Sequence, residues 1–265
     1  MLVARTGRWE PAAGRPLFVS VRPHPHGIAA GDLDGDGRPD LALDSAADDS
    51  VHLFWNDGSG GFRTGPVLPA GRHPYPRVRL ADVDASGTLD VLTTNVRGGN
   101  LSVFLGDGKG GFRPAPGSPV AAGDAPFGVT AGGFDGDGAA DLAVANLASD
   151  FGSGRDGVVL LRGDGRGGFA PFGGSLEPLP TGAGPVAIAA CDLDGDRRHE
   201  AITADYRGGG VTTATWQPTG AATSTRAVGR SAAGLACGDL DGDRRDEVLV
   251  VLEEADVVVI LELAG

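Results

Sequence analysis

Cysteine, lysine, methionine and aromatic residues are all scarce in this chain of 265 residues. Two cysteines, Cys191 and Cys237, are too few for a disulfide framework. Lysine occurs once, as Lys109, and 22 basic residues stand against 35 acidic ones for a net charge of −13. Such a field repels phosphate backbones, so nucleic acid and anionic membrane surfaces are poor partners. No apolar run of about 18 residues is present to cross a bilayer; the most apolar stretch, 248–264, is broken by Glu253, Glu254, Asp256 and Glu262. The N-terminal MLVARTGRWEP lacks the apolar core of a secretory signal, so the chain is expected to be cytosolic or to have lost a signal. No window sustains a 3.6-residue apolar period without Gly or Pro, which excludes a helical fold. G-x-S-x-G, a phosphate-binding G-x-x-x-x-G-K-[ST] and C-x-x-C are also missing, and no nucleophile stands with a base.

Glycine is abundant, at 46 residues, with 18 prolines, while 41% of residues are hydrophobic. That is enough for a core, packed from Val, Leu, Ile and Ala in a loop-rich, all-β chain.

Five registered repeats organise it. GIAAGDLDGDGRPDLAL starts at Gly27, RVRLADVDASGTLDVLT at Arg77, GVTAGGFDGDGAADLAV at Gly128, AIAACDLDGDRRHEAIT at Ala187 and GLACGDLDGDRRDEVLV at Gly234. Their acidic loops begin at 32, 82, 133, 192 and 239. VHLFWNDGSGGF, LSVFLGDGKGGF and VVLLRGDGRGGF follow the first three, and VTTATWQPTG and VVVILEL take the same place in the last two. Each repeat reads as four short strands, with Gly-rich hairpin turns before Phe62, Phe112 and Phe169. Regular short strands with one motif per repeat predict a β-propeller of five four-stranded blades in a single domain, 1–265. Small residues precede each loop (Gly31, Ala81, Gly132, Cys191, Gly238), as an innermost strand crowded at an axis requires. The fifth repeat lacks a fourth strand. Residues 1–26, with Trp9 in the place of Phe62, are expected to supply it and close the ring. Cys191 and Cys237, one and two residues before their loops, are expected to point to opposite faces and to remain unpaired.

The first loop places Asp32, Asp34, Asp36 and Asp40 at positions 1, 3, 5 and 9, with the Arg38 carbonyl at 7. Oxygen donors at this spacing wrap a hard cation, and Ca²⁺ takes six to eight of them. Gly37 at position 6 allows the left-handed turn. The second loop offers Asp82, Asp84, Ser86, the Thr88 carbonyl and Asp90. The third, with Gly133 at position 1, offers Asp135, Asp137, the Ala139 carbonyl and Asp141. The fourth offers Asp192, Asp194, Asp196, the Arg198 carbonyl and Glu200, and the fifth Asp239, Asp241, Asp243, the Arg245 carbonyl and Glu247. Both last loops put Arg, at 197 and 244, where the turn favours Gly. An EF-hand is excluded, because position 12 holds no Glu and a β-pattern follows. Up to five calcium ions are expected, and these ligands account for 18 of the 35 carboxylates.

The pattern D-x-D-G-D-G-x-x-D, followed by D-G-x-G-G-F, resembles the FG-GAP/VCBS repeat family, which includes the propeller headpiece of integrin α-subunits. The resemblance implies calcium loops on one face and ligand binding on the other. That second face carries His24, His26, His73, Tyr75, Arg77, Arg97 and Phe127, then Asn95, Asn146, Asp205, Tyr206, Arg207 and an insertion at 148–157 with Phe151 and Arg155. Aromatic rings there suit stacking on a sugar or packing on a protein. The expected protein is a monomeric, secreted or cell-surface adhesion module, non-catalytic, that binds an extracellular protein or glycan without inserting in a membrane. The alternatives are a structural spacer, and a metal-dependent hydrolase or polysaccharide lyase with His24, His26 and His73 on Zn²⁺.

Overall fold

In the computed structural model, the described residues are 2–5, 8–11, 24–151, 154–217 and 220–262. A hairpin of β1 (Leu2–Arg5) and β2 (Arg8–Pro11) comes first. Five antiparallel sheets follow in chain order. The first comprises β3 (Ile28–Gly31), β4 (Asp40–Ser45), β5 (Ser50–Asn56) and β6 (Phe62–Pro69). The second comprises β7 (Pro74–Ala81), β8 (Asp90–Asn95), β9 (Asn100–Gly106), β10 (Phe112–Pro114) and β11 (Val120–Ala121). The third has β12 (Pro126–Gly132) and β13 (Asp141–Asn146), then a short helix α1 (Ala148–Phe151), β14 (Gly157–Gly163), β15 (Phe169–Pro171) and β16 (Leu179–Pro180). The fourth is β17 (Pro185–Cys191), β18 (Glu200–Asp205), β19 (Gly210–Gln217) and β20 (Gly220–Ala227). The fifth has three strands, β21 (Ala232–Gly238), β22 (Glu247–Leu252) and β23 (Val257–Leu261). The chain is all-β, as its period and turns predict.

Each acidic loop joins the first two strands of its sheet, and each D-G-x-G-G-F turn leads from the third to the fourth. The turn is built by its aspartate. Asp107 Oδ1 accepts the amides of Lys109 and Gly111, both at 2.8 Å. A Cβ on Gly111 would lie 2.4 Å from that carboxylate, so a larger residue would push the aspartate out of place. Asp57 and Asp164 make the same bonds in their own turns.

Four buried clusters lie between successive sheets. Leu33, Val51, Val78 and Val91 join the first sheet to the second, and Val103, Val129, Leu142 and Val144 join the second to the third. Phe134, Ala145, Ile188 and Ala201 join the third to the fourth, and Ile202, Val248 and Val250 join the fourth to the fifth. Second strands such as Asp90–Asn95 and Asp141–Asn146 are buried throughout, because a sheet packs on each side of them.

Both end sheets leave apolar residues exposed on their outer faces. Ile28 is 61% exposed, and Val258 and Ile260 are 57% and 58% exposed. A Cβ on Gly31 would lie 2.5 Å from Leu89, whereas one on Gly238 would meet nothing within 4 Å. Small residues therefore serve close sheet packing at Gly31 but meet no neighbour at Gly238. Trp9 lies in β2, opposite Ala4 of β1, rather than on the edge of β23. The rest of the expected closing segment, 12–23, lies outside the described residues.

Cys191 and Cys237 form a disulfide, with Cα atoms 5.8 Å apart, contrary to the expectation of unpaired thiols. Parity along a strand assigns faces only within one sheet. β17 and β21 belong to different sheets packed side by side, so residues of unlike parity can meet across the gap.

Candidate functional site

Four of the five acidic loops bring three carboxylate oxygens within 4.8 Å of one another. They are Asp32, Asp34 and Asp36; Asp82, Asp84 and Asp90; Asp192, Asp194 and Asp196; and Asp239, Asp241 and Asp243. Backbone amides shape each loop. Asp32 accepts from Gly35 (2.8 Å) and Gly37 (2.9 Å), and Asp192 accepts from Gly195 (2.8 Å) and Arg197 (3.0 Å). The amide of Gly37, then those of Gly35 and Asp36, hold Asp32 below the ordinary carboxylate pKa against the effect of burial. Burial, with Asp40 and Asp36 close by, raises that of Asp34.

The position-9 carboxylates have a second duty. Buried Asp40 accepts the amides of Leu33 (3.0 Å) and Asn56 (2.8 Å), tying its loop to the end of the third strand. Asp90 and Asp141 repeat both bonds. Glu200 and Glu247 keep the first, to Leu193 and Leu240. Burial pushes Asp90 up to about 6 and Glu200 up to about 7, with neighbouring loop carboxylates adding to both. An all-oxygen donor set with backbone carbonyls at Arg38, Thr88, Arg198 and Arg245 suits Ca²⁺.

The third loop is different. Arg162 of β14 places its guanidinium 2.6 Å from Asp135, whose side chain is only 7% exposed. The same arginine lies over the Phe172 ring at 5.1 Å. Gly133, at position 1, donates its amide to His199 Nδ1 at 3.2 Å. Asp137 Oδ1 accepts only its local Ala139 amide, and Asp141 serves the strand ends. A protein cation thus sits on one of the expected metal ligands.

On the other loop face, several sequence-expected residues converge. Tyr75 rests on Val96, Ala125 and Ala148. Its ring lies 4.3 Å from His26, 5.7 Å from His73, 5.7 Å from Phe127 and 6.4 Å from Phe151. The insertion matters because α1 carries Phe151 to this group. Burial and nearby Arg97 push the His73 pKa below the ordinary histidine value, which keeps the ring neutral at pH 7. His24 stacks on His26 at 6.0 Å, and no three-residue metal group includes these histidines among the described residues.

Other expected residues stand apart. Tyr206 donates its hydroxyl to Glu253 (3.0 Å), and Arg207 pairs with Asp150, so these two brace neighbouring sheets. Asn95, Asn146 and Asp205 are fully buried, and their bonds shape the loops. Sequence reasoning missed two features. Phe172 and Trp216 pack at 4.7 Å between the third and fourth sheets, flanked by cavities of about 490 and 600 Å³. The inner strands also surround a third cavity, which holds Arg79. A signal for it lies in the repeats: the positions equivalent to Arg79 are Ala29, Thr130, Ala189 and Ala236.

These observations define a class: an all-β repeat protein with metal-competent loops at matching places in its sheets. The FG-GAP-like repeat family model matches residues 82–144 and 134–203. The middle of the chain is therefore made of FG-GAP-like repeats, in keeping with the resemblance read from its five loops. Among solved structures, the chain is similar to a "putative 6-phosphogluconolactonase" from Bacteroides uniformis, with a TM-score of 0.56 and 15% identity over 92% of this chain and 73% of that one. At that identity the likeness speaks for the fold alone. No curated protein matches the chain.

Proposed function

We propose that this protein is a calcium-binding, non-catalytic β-propeller module that works outside the cell and holds a glycan or protein on the face opposite its acidic loops. The observation that carries the binding reading is the ring group of His26, Tyr75, Phe127 and Phe151, drawn from three successive sheets. Rings held by strand ends and a short helix expose flat apolar faces at low entropic cost, which suits sugars and protein side chains.

Four calcium ions, one in each loop with a complete carboxylate group, are the cofactors of this reading. The Cys191–Cys237 bond and calcium sites useful at millimolar concentration both favour an oxidising, extracellular setting. Among the described residues, no helix is long and apolar enough to cross a membrane. In the full proposal, five blades close into a ring. In that ring the N-terminal segment, 1–26, is the source of the fourth strand that the last blade lacks beside β23.

The test is binding of the calcium-loaded protein to an array of glycans and to extracellular-matrix proteins, beside Tyr75→Ala. A ligand that binds the parent and is weakened about tenfold or more by the substitution supports the reading. Undiminished binding by Tyr75→Ala would move the site elsewhere, with the groove at Trp216 the next place to look.

A further inference from the structure

The inner strands β7, β12, β17 and β21 surround a cavity of about 380 Å³. Its walls are nearly all small or aliphatic: Ala131, Ala189, Ala190, Ala236, with Thr130 as the one hydroxyl. Into this space the chain sends Arg79. The residues at the same place on the other four inner strands are Ala29, Thr130, Ala189 and Ala236, so filling the space does not require an arginine.

No carboxylate lines the cavity. Arg79 Nε donates to the Val129 carbonyl at 3.3 Å, and Arg77, two residues earlier, reaches the Val186 carbonyl at 3.5 Å. These are long contacts to neutral acceptors. Among the described residues neither guanidinium has an acid within ion-pair distance, although the chain carries 35 acidic residues against 22 basic ones. Arg79 is exposed to the solvent of this open cavity, so its charge is hydrated and within reach of a ligand. Burial, and then the Arg77 charge, lower the Arg79 pKa from its ordinary value, though a guanidinium remains protonated at neutral pH. A cation that lines a cavity with no carboxylate in its walls leaves a place for an anion.

We infer that this cavity is an oxyanion site, with Arg79 as its cation and Arg77 two residues away on the same strand, and that it receives the carboxylate or sulfate group of an acidic glycan. The volume is in the range of small-ligand pockets and suits a single sugar unit. Tyr75, the centre of the ring group, precedes Arg77 by two residues on the same strand, β7. Aromatic stacking and anion recognition thereby lie along one strand. The inference rests on the reading that the Tyr75 face is the ligand face, and it adds the charge of the ligand.

Calorimetric titration of the calcium-loaded protein with sodium sulfate, sodium glucuronate and glucose tests it, in the parent and in Arg79→Gln, Arg79→Lys and Tyr75→Ala. Sulfate and glucuronate should bind the parent and glucose should not. Arg79→Gln should weaken both anions about tenfold or more, and Arg79→Lys should weaken them less. The Arg79→Gln protein should melt no lower than the parent in anion-free buffer, but lose the rise in Tm that anions give the parent. Failure of both anions to bind the parent, or equal binding by Arg79→Gln, overturns the site. Tyr75→Ala separates the two readings. If it weakens glucuronate but not sulfate, cavity and ring group act together. If it changes neither while Arg79→Gln abolishes both, the oxyanion site stands and the ring group is not its sugar platform.

Discussion

Arg162 reaches Asp135 from the neighbouring strand at 2.6 Å, so the third acidic loop already holds a cation of its own. The matching positions on the third strands of the first, second and fourth sheets are Trp55, Leu105 and Thr215, none of them charged. The loop with the poorest donor set, lacking a carboxylate at position 1, is also the one neutralised from within.

Elemental analysis of the parent should therefore find four calcium ions per chain rather than five. Each site with a Kd near 10 µM adds about 2.7 kcal/mol at millimolar calcium, so chelation should lower the Tm strongly. Arg162→Ala leaves buried Asp135 without its partner and should cost about 1–3 kcal/mol in chelator. Calcium should recover part of that loss. Thermal unfolding of both proteins with and without calcium decides the matter; five ions in the parent would show that Arg162 gives way.

Three loop residues carry strain that glycine would relieve. Arg197 and Arg244 have φ of 71° and 73°, where Gly37, Gly87 and Gly138 stand in the other loops. Ala85 has φ of 58° at position 4, where Gly35, Gly136, Gly195 and Gly242 stand elsewhere. A left-handed non-glycine residue costs about 1–2 kcal/mol, and glycine returns part of this as chain entropy. Ala85→Gly, Arg197→Gly and Arg244→Gly should each stabilise the protein by about 0.5–1 kcal/mol in urea titration. A loss of stability in all three would rule out strain at these positions.

The sequence and the structure agree where one signal repeats. Five loop motifs carry five sheets, and the positions of Gly37, Arg197 and Arg244 in the turn are readable from loop alignment alone. The Tyr75 group was legible as a list of loop aromatics, though not as a contact, because α1 had first to bring Phe151 across. Single departures from the repeat were harder to read. Arg79 and Arg162 each replace a small or neutral residue once, and their meaning depends on a neighbouring sheet. The Cys191–Cys237 bond was misread for the same reason, since strand parity says nothing about residues that meet between sheets.

Asp205 offers a test through pH. It is fully buried at the end of β18, where the equivalent residues of the second and third sheets are Asn95 and Asn146. Burial raises its pKa, despite hydrogen bonds from Thr212, Thr203 and the Gly182 amide. A carboxyl whose folded pKa lies above its unfolded value near 3.9 favours folding when protonated. That contribution is fully present below the unfolded pKa and declines as pH rises to the folded one. Asp205→Asn should therefore gain on the parent as the pH rises above about 4 and match it near pH 3. A gain that is independent of pH would assign the effect to hydrogen bonding instead of charge.

The end sheets give the sharpest test of ring closure. Among the described residues β23 pairs with β22 alone, and Val258 and Ile260 stand 57% and 58% exposed on one of its faces. An open apolar edge invites pairing with another chain. If the N-terminal segment closes the ring as proposed, deleting 1–23 should lower the Tm and produce aggregation, while the calcium content stays at four. Val258→Thr with Ile260→Thr should then destabilise the full chain, because both side chains are covered in the closed form. If the closing strand comes from elsewhere, the deletion leaves the Tm unchanged, and the double substitution improves solubility at no cost in stability. Light scattering and thermal unfolding on the three proteins separate these outcomes, since a covered valine and an exposed one respond to a hydroxyl with opposite sign.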